Sequence, residues 1–248
     1  MFTMTPCRRY ALRALALVLL SLLALQLAFL LRIALMLLLD PQSSTFQRSE
    51  MARLLSEKGG IAWSQHWVEG GRIATTLKRA VIASEDAGFV EHSGIEWDAI
   101  EQAWDKNQRA QARAQRQVQA KKPASAKLVG ASTISQQLAK NLLLSGERTV
   151  LRKAQEMVLT LMLETLLSKE RLLTIYLNNV EWGEGIFGAQ AAAQHYFRVD
   201  ASKLGADQAA RLAVMLPAPK RFERQFHSAY LLSRAATIVA RMPAVVLP

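Results

Sequence analysis

From Ala14 to Leu31 the chain runs for 18 residues without a charge, and only Ser21 and Gln26 break its apolar character. Few folds can hold such a stretch, because a helix crossing hydrocarbon needs about 17–25 apolar residues. After Arg32 the apolar character resumes from Ile33 to Leu39. If the helix continues that far, Arg32 can reach the headgroups with its long side chain. A cleaved signal peptide would have a shorter apolar core, about 7–15 residues, ending in a small-x-small site. Here Leu37-Leu38-Leu39-Asp40-Pro41 follows, which offers no such site. The sequence therefore predicts a tail over 1–13, an uncleaved membrane anchor over 14–39, and a juxtamembrane linker over 40–70. Arg8, Arg9 and Arg13 precede the anchor, so the tail is expected in the cytoplasm and residues 71–248 on the other side.

Beyond residue 50 the apolar residues recur with helical rather than strand spacing. Val150, Leu151, Ala154, Met157, Val158, Leu161, Met162 and Leu166 fall on one stripe, which predicts a helix with that face inward. Leu172 to Tyr176 begins another, Ala206 to Leu216 a third stopped by Pro217-Ala218-Pro219, and Ala229 to Met242 a fourth. No alternating pair of strands joined by Asn-Gly or Asp-Gly is present. The expected class is mainly α. Of the formal +11 charge, residues 1–40 hold +3 and residues 105–127 hold +6, which leaves +2 elsewhere. The 105–127 segment is rich in Ala, Gln, Lys and Arg, has Val118 as its one large aliphatic residue, and reads as a solvated basic insertion. Arg109, Arg113 and Arg116 share a face there if it is helical. A surface touching anionic lipid is the functional alternative. The single cysteine, Cys7, precludes an internal disulfide.

Four stretches carry polar residues that a plain helical core does not need. The first, Ser84 to Gly94, ends an apolar helix in Glu85 and Asp86 and continues to His92. A carboxylate at such a half-buried place can serve as a general base, although taken alone an ordinary surface acid pair is the plainer reading. The second, Gly130 to Leu142, opens a helix with Ser132 and Thr133, and Thr133 with Gln136 fits a capping box. Gln136, Gln137, Lys140 and Asn141 then form one polar face, suited to an anionic or sugar ligand or simply to solvent. The third places Arg148, Arg152 and Glu156 at four-residue spacing, with Lys153 beside them. Those cations can hold a diphosphate, or can form an ordinary helical ion pair. The fourth, Tyr176 to Phe197, contains three glycines in six residues before an alanine-rich helix. Asn178, Trp182 and Glu184 are candidates there to line a sugar site.

Taken in order, these stretches resemble the recurring motifs of glycosyltransferase family 51, the peptidoglycan glycosyltransferases. The matching residues are Glu85 to Gly94, Gly130 to Asn141, Arg152 to Glu156, Tyr176 to Phe197, and Leu216 to Pro219. The resemblance runs from about residue 75 to the C-terminus and favours the family's monofunctional members, since no transpeptidase domain follows. It implies a lysozyme-like helical glycosyltransferase domain behind one transmembrane helix, in a bacterial inner membrane with the domain in the periplasm. It implies polymerisation of lipid II by inverting transfer of the growing chain to the acceptor's 4-hydroxyl. Glu85 would be the general base. Lys140, Arg148, Arg152 and Lys153 would stabilise the leaving polyprenyl diphosphate, and Glu156 would position those cations or assist departure. Ser132, Thr133, Gln137 and Asn141 would hold substrate, with Asp86 and His92 in support. Ala131 stands where a second glycine is common, and the basic insertion is longer than usual.

Expected partners are lipid II, the growing lipid-linked chain, the membrane and other cell-wall synthesis proteins. No cofactor is implied. No cluster with metal-ligand spacing is visible, so a tightly held metal is not expected. Nucleic acid is not expected either, because the basic segment lacks aromatic residues for stacking. Two rival readings share parts of this pattern. A lytic, lysozyme-like hydrolase would need the acid without the cations. A non-enzymatic protein would use the basic segment to bind anionic lipid.

Overall fold

The computed structural model describes residues 6–119, 132–147 and 149–248. Gly130, Ala131, Arg148 and residues 120–127 of the basic insertion lie outside the described residues. The chain forms two compact units, residues 1–40 and 41–248. The first is a helix, α1 (Pro6–Leu35). It starts before the expected span and gives way to turns at Met36, short of Leu39. Cys7–Leu35 contains an 18-residue window of mean hydropathy 2.7 and is, among the described residues, the one helix long and apolar enough to cross a membrane.

The second unit begins earlier than the sequence suggested. Much of the 40–70 segment is folded into it rather than left as a linker. α2 (Thr45–Lys58) starts in a full capping box, where Ser44 accepts the Gln47 N–H and Gln47 returns the bond to the Ser44 N–H. β1 (Ser64–Gln65) follows. Then come α3 (Thr75–Glu85), α4 (Trp97–Gln119), α5 (Ile134–Leu143), α6 (Val150–Leu166) and α7 (Lys169–Asn179). Two short strands, β2 (Glu181–Gly183) and β3 (Ile186–Phe187), precede α8 (Ala189–Phe197), α9 (Ala206–Met215), α10 (Pro219–Glu223) and α11 (Ala229–Arg241). The unit is mainly α, and the helices expected near 172, 206 and 229 are present.

α9 packs between α3 and α11. Ala209, Ala210 and Ala213 of α9 and Ala80 and Ala83 of α3 are all buried. α5 packs against α2, α6 and α7, burying Ile134, Leu138, Ala139, Leu142 and Leu143. α5 is thus fixed on three sides while its polar residues keep one free face.

Two expectations fail here. The apolar stripe of α6 does not face inward. Val150 and Leu151 are 86% and 83% exposed, and Val158 and Leu161 are also exposed. The buried residues are Glu156, Leu159, Thr160 and Leu163. The helix is turned so that Leu159 and Leu163 meet the core while Glu156 goes inward with its ion-pair partners. Periodicity alone counts apolar residues and cannot see that compensation. The sequence also showed no strands, yet β1, β3 and β2 form a small sheet, with β1 parallel and β2 antiparallel to the central β3. Strands of two or three residues are too short to show a period of two. Their turn uses Glu184-Gly185, where Gly185 has φ +73° and any Cβ would come within 2.0 Å of the Ala62 carbonyl oxygen.

The basic segment is helical as far as it is described, because α4 continues to Gln119. Trp97 and Trp104 on it are both largely exposed.

Candidate active site

Glu85 is the last residue of α3, and the loop after it is held by a set of hydrogen bonds. Asp86 is buried. Its Oδ2 accepts the Ile134 N–H at 2.9 Å and its Oδ1 meets His92 Nε2 at 2.8 Å. His92 Nδ1 accepts the Gly94 N–H at 3.0 Å, so Nε2 carries the ring proton and donates to Asp86. Thr133 Oγ1 donates to the Gly94 carbonyl at 2.6 Å while capping α5. Lys169 Nζ donates to the His92 carbonyl at 2.7 Å and sits 4.6 Å from the ring centre of the buried Phe89. These contacts tie the start of α5 to the end of α3 and leave Glu85 little freedom. Asp86, His92 and Glu96 bring ligand atoms within 4.8 Å of one another, a grouping that spacing did not reveal. Both oxygens of Asp86 and both nitrogens of His92 are already engaged in the bonds just described.

Glu85 itself is half-buried. Its Oε2 accepts a 2.9 Å hydrogen bond from Gln137 Nε2, and Gln137 Oε1 accepts one of 3.0 Å from the Tyr176 hydroxyl. The phenol fixes which way the amide points, and the amide fixes the carboxylate. Burial raises the Glu85 pKa above the usual carboxylate range. Gln137 and Ser84 oppose that by hydrogen bonding, Asp86 adds to it by its charge, and Lys140 offsets part. Burial also drives the Tyr176 hydroxyl well above its ordinary value, helped by the charges of Glu85 and Asp86, so it stays a neutral donor. Tyr176 was not singled out from sequence, although its place in Tyr-Leu-Asn marked it.

Beyond Gln137 opens a cavity of about 490 Å³. Ser132, Gln137, Lys140, Asn141, Arg152, Lys153 and Glu156 all line it, so seven of the sequence candidates converge there. Glu85 does not line this cavity and lies one hydrogen bond from it, through Gln137. Glu156 is 3% exposed. It accepts from Arg152 Nη1 at 2.8 Å and from Lys153 Nζ, holding both cations toward the cavity. Lys140 adds charge from α5, whose exposed face it shares with Asn141 one residue on.

Other candidates lie elsewhere. Thr133 is buried and its hydroxyl is turned into the fold, not toward the cavity. Asn178 is fully buried and clamps Val68 through both its amide groups. Trp182 is fully buried. Glu184 pairs with Arg53 and Lys58 on the surface, which lowers its pKa to about 2. None of these three lines the cavity; the residues of that stretch that do are Val180 and Glu181.

Known proteins are similar to this chain over most of its length. The model of a family described as Transglycosylase matches residues 53–243. The biosynthetic peptidoglycan transglycosylase of Burkholderia pseudomallei is 52% identical over 226 residues, covering 91% of this chain and 83% of that protein. The protein of the same name from Bordetella pertussis is 51% identical over 209 residues, covering 84% and 82%. That of a Janthinobacterium strain is 49% identical, covering 91% and 92%. With its lysozyme-like helical domain, the chain therefore belongs to the transglycosylase family.

Proposed function

We propose that this chain is a membrane-anchored peptidoglycan glycosyltransferase that polymerises lipid II. The observation that carries the reading is Gln137, which lines the cation-rich cavity and hydrogen-bonds the desolvated Glu85. An acceptor sugar beside Glu85 would then meet a donor whose diphosphate lies among Lys140, Arg152 and Lys153. Glu85 takes the proton from the acceptor's 4-hydroxyl as that oxygen attacks the anomeric carbon of the growing chain. The bond to the polyprenyl diphosphate breaks with inversion, and the three cations receive the negative charge that develops. Groups already aimed at such charge typically contribute most of the rate, with each donor supporting roughly 2.7–4 kcal/mol. A hydrolase would need the acid without this cluster.

The anchor fits the same reading. α1 serves as a single-pass span in a bacterial inner membrane, with Arg8, Arg9 and Arg13 in the cytoplasm and the catalytic domain in the periplasm. Tethering keeps the site close to substrates that are themselves held in the bilayer.

The test is incubation of the purified full-length protein with labelled lipid II in detergent, with strands followed by gel. Polymer from the wild type and none from folded Glu85→Gln supports the reaction and the base. A folded wild type that makes no polymer but shortens preformed strands refutes the polymerase reading and favours a lytic one.

A further inference from the structure

One ionisable side chain on the cavity wall has no part in the chemistry above. Glu181, on β2, is 6% exposed and lines the cavity. Its Oε1 has no hydrogen-bond partner. The closest cation, Lys220 Nζ of α10, stands 3.5 Å away as its ion-pair partner and also donates to Glu50 of α2. Arg53, also on α2, is taken up by Glu50, Glu57 and Glu184. Glu223 of α10 accepts the Glu184 N–H, and the Tyr196 hydroxyl of α8 donates to the Trp182 carbonyl. The charged and polar groups around Glu181 are therefore largely engaged with one another, and the cation paired with its carboxyl, Lys220, is shared with Glu50.

Phe46, Val180, Leu216 and Pro219 are apolar residues that line the same cavity. An apolar wall with one well-placed polar group is how proteins grip a small polar ligand and set its orientation. We propose that the Glu181 carboxyl is a specificity-determining group that hydrogen-bonds a hydroxyl or acetamide of the donor sugar nearest the diphosphate. This rests on the donor reading given under the proposed function. Burial first, with the Glu50 charge adding to it against Lys220, lifts Glu181 to about 7. Near neutral pH the carboxyl thus keeps a proton to donate. Above that it becomes an anion in the same cavity as a diphosphate, and both changes weaken donor binding.

The experiment measures initial polymerisation rates of full-length wild type, Glu181→Leu and Glu181→Gln on lipid II in detergent, at several values between about pH 6 and 8.5, the range bracketing this carboxyl. Thermal melting followed by circular dichroism reports folding. Losing one hydrogen bond to substrate should raise the KM of Glu181→Leu about tenfold with kcat within about twofold. Glu181→Gln, which keeps a donor but cannot ionise, should recover most of that KM. The wild-type KM should climb as pH passes about 7, and the Glu181→Gln KM should not. Wild-type KM in both variants, or equal losses in kcat and melting temperature for Leu and Gln, overturns the assignment. If Glu181→Leu does not fold, the Gln profile decides alone, and a KM that climbs with pH as in the wild type overturns it. Absence of polymer from the wild type removes the donor reading and this assignment together; polymer with unaffected variants removes only the latter.

Discussion

Glu85 owes its properties to two neighbours and to burial. Gln137 gives it one hydrogen bond, and Tyr176 orients Gln137. Replacing Glu85 by Gln should lower polymerisation by about 10²–10⁴-fold, the usual range for a lost general base, as read by strand yield. Its raised pKa has a stability consequence of definite sign. Between the ordinary carboxylate value and the raised one, the folded state binds more protons than the unfolded state, so stability falls as pH rises through that window. The Glu85→Gln protein should therefore melt higher than wild type at pH 8 and lose that advantage near pH 4, by about 2–4 °C per kcal/mol relieved. A variant that melts lower at both pH values would contradict this account. Arg152→Lys keeps the charge but loses the forked geometry. It should reduce kcat more than it raises KM, and by less than the 10²–10³-fold expected for full loss of an oriented donor. Steady-state kinetics on lipid II separates the two parameters.

At the scale of elements, the site depends on the junction between the end of α3 and the start of α5. Asp86 carries one bond across it, to the Ile134 N–H, and a second to His92 within its own loop. Asn in its place offers one acceptor oxygen, so a buried donor goes unpaired at a cost of about 1–3 kcal/mol. Urea unfolding of Asp86→Asn should show that loss as a lower midpoint with unchanged slope. Gly94 shares the junction. It has φ +86°, and a Cβ there would lie 2.7 Å from Thr160 and Glu164 of α6. Gly94→Ala should destabilise by about 1–3 kcal/mol through strain and overpacking, and should displace Glu85 as well. Activity lost beyond the unfolded fraction is the expected reading, from parallel melting and rate measurements. α6 teaches the converse lesson. Its apolar stripe is exposed, and its orientation follows from Leu159, Leu163 and the ion-paired Glu156 together.

At the scale of the whole molecule, the chain forms two compact units. If α1 is the anchor, removing it should leave detergent activity nearly intact. Activity on substrate embedded in vesicles should fall by at least tenfold, because the loss is one of effective concentration. Equal activity of both forms on vesicles would show that α1 does not deliver the domain to its substrate.

The sequence by itself determined the helical class, the apolar N-terminal segment, the Thr133 capping box and the identity of the cation-bearing helices. All of these depend on residues close together in the chain, where helical spacing and capping chemistry act locally. Tertiary structure decided the rest. It folded the 40–70 segment into α2 and β1, turned α6 over, and made Asn178, Trp182 and Glu184 structural. It also brought Tyr176 to Gln137 and Glu181 to the cavity wall. Those outcomes depend on contacts between residues far apart in sequence, such as Tyr176 with Gln137, 39 positions away, and Lys220 with Glu50, 170 away. Burial and pairing are set by what the rest of the chain places around a side chain, and no local pattern encodes that.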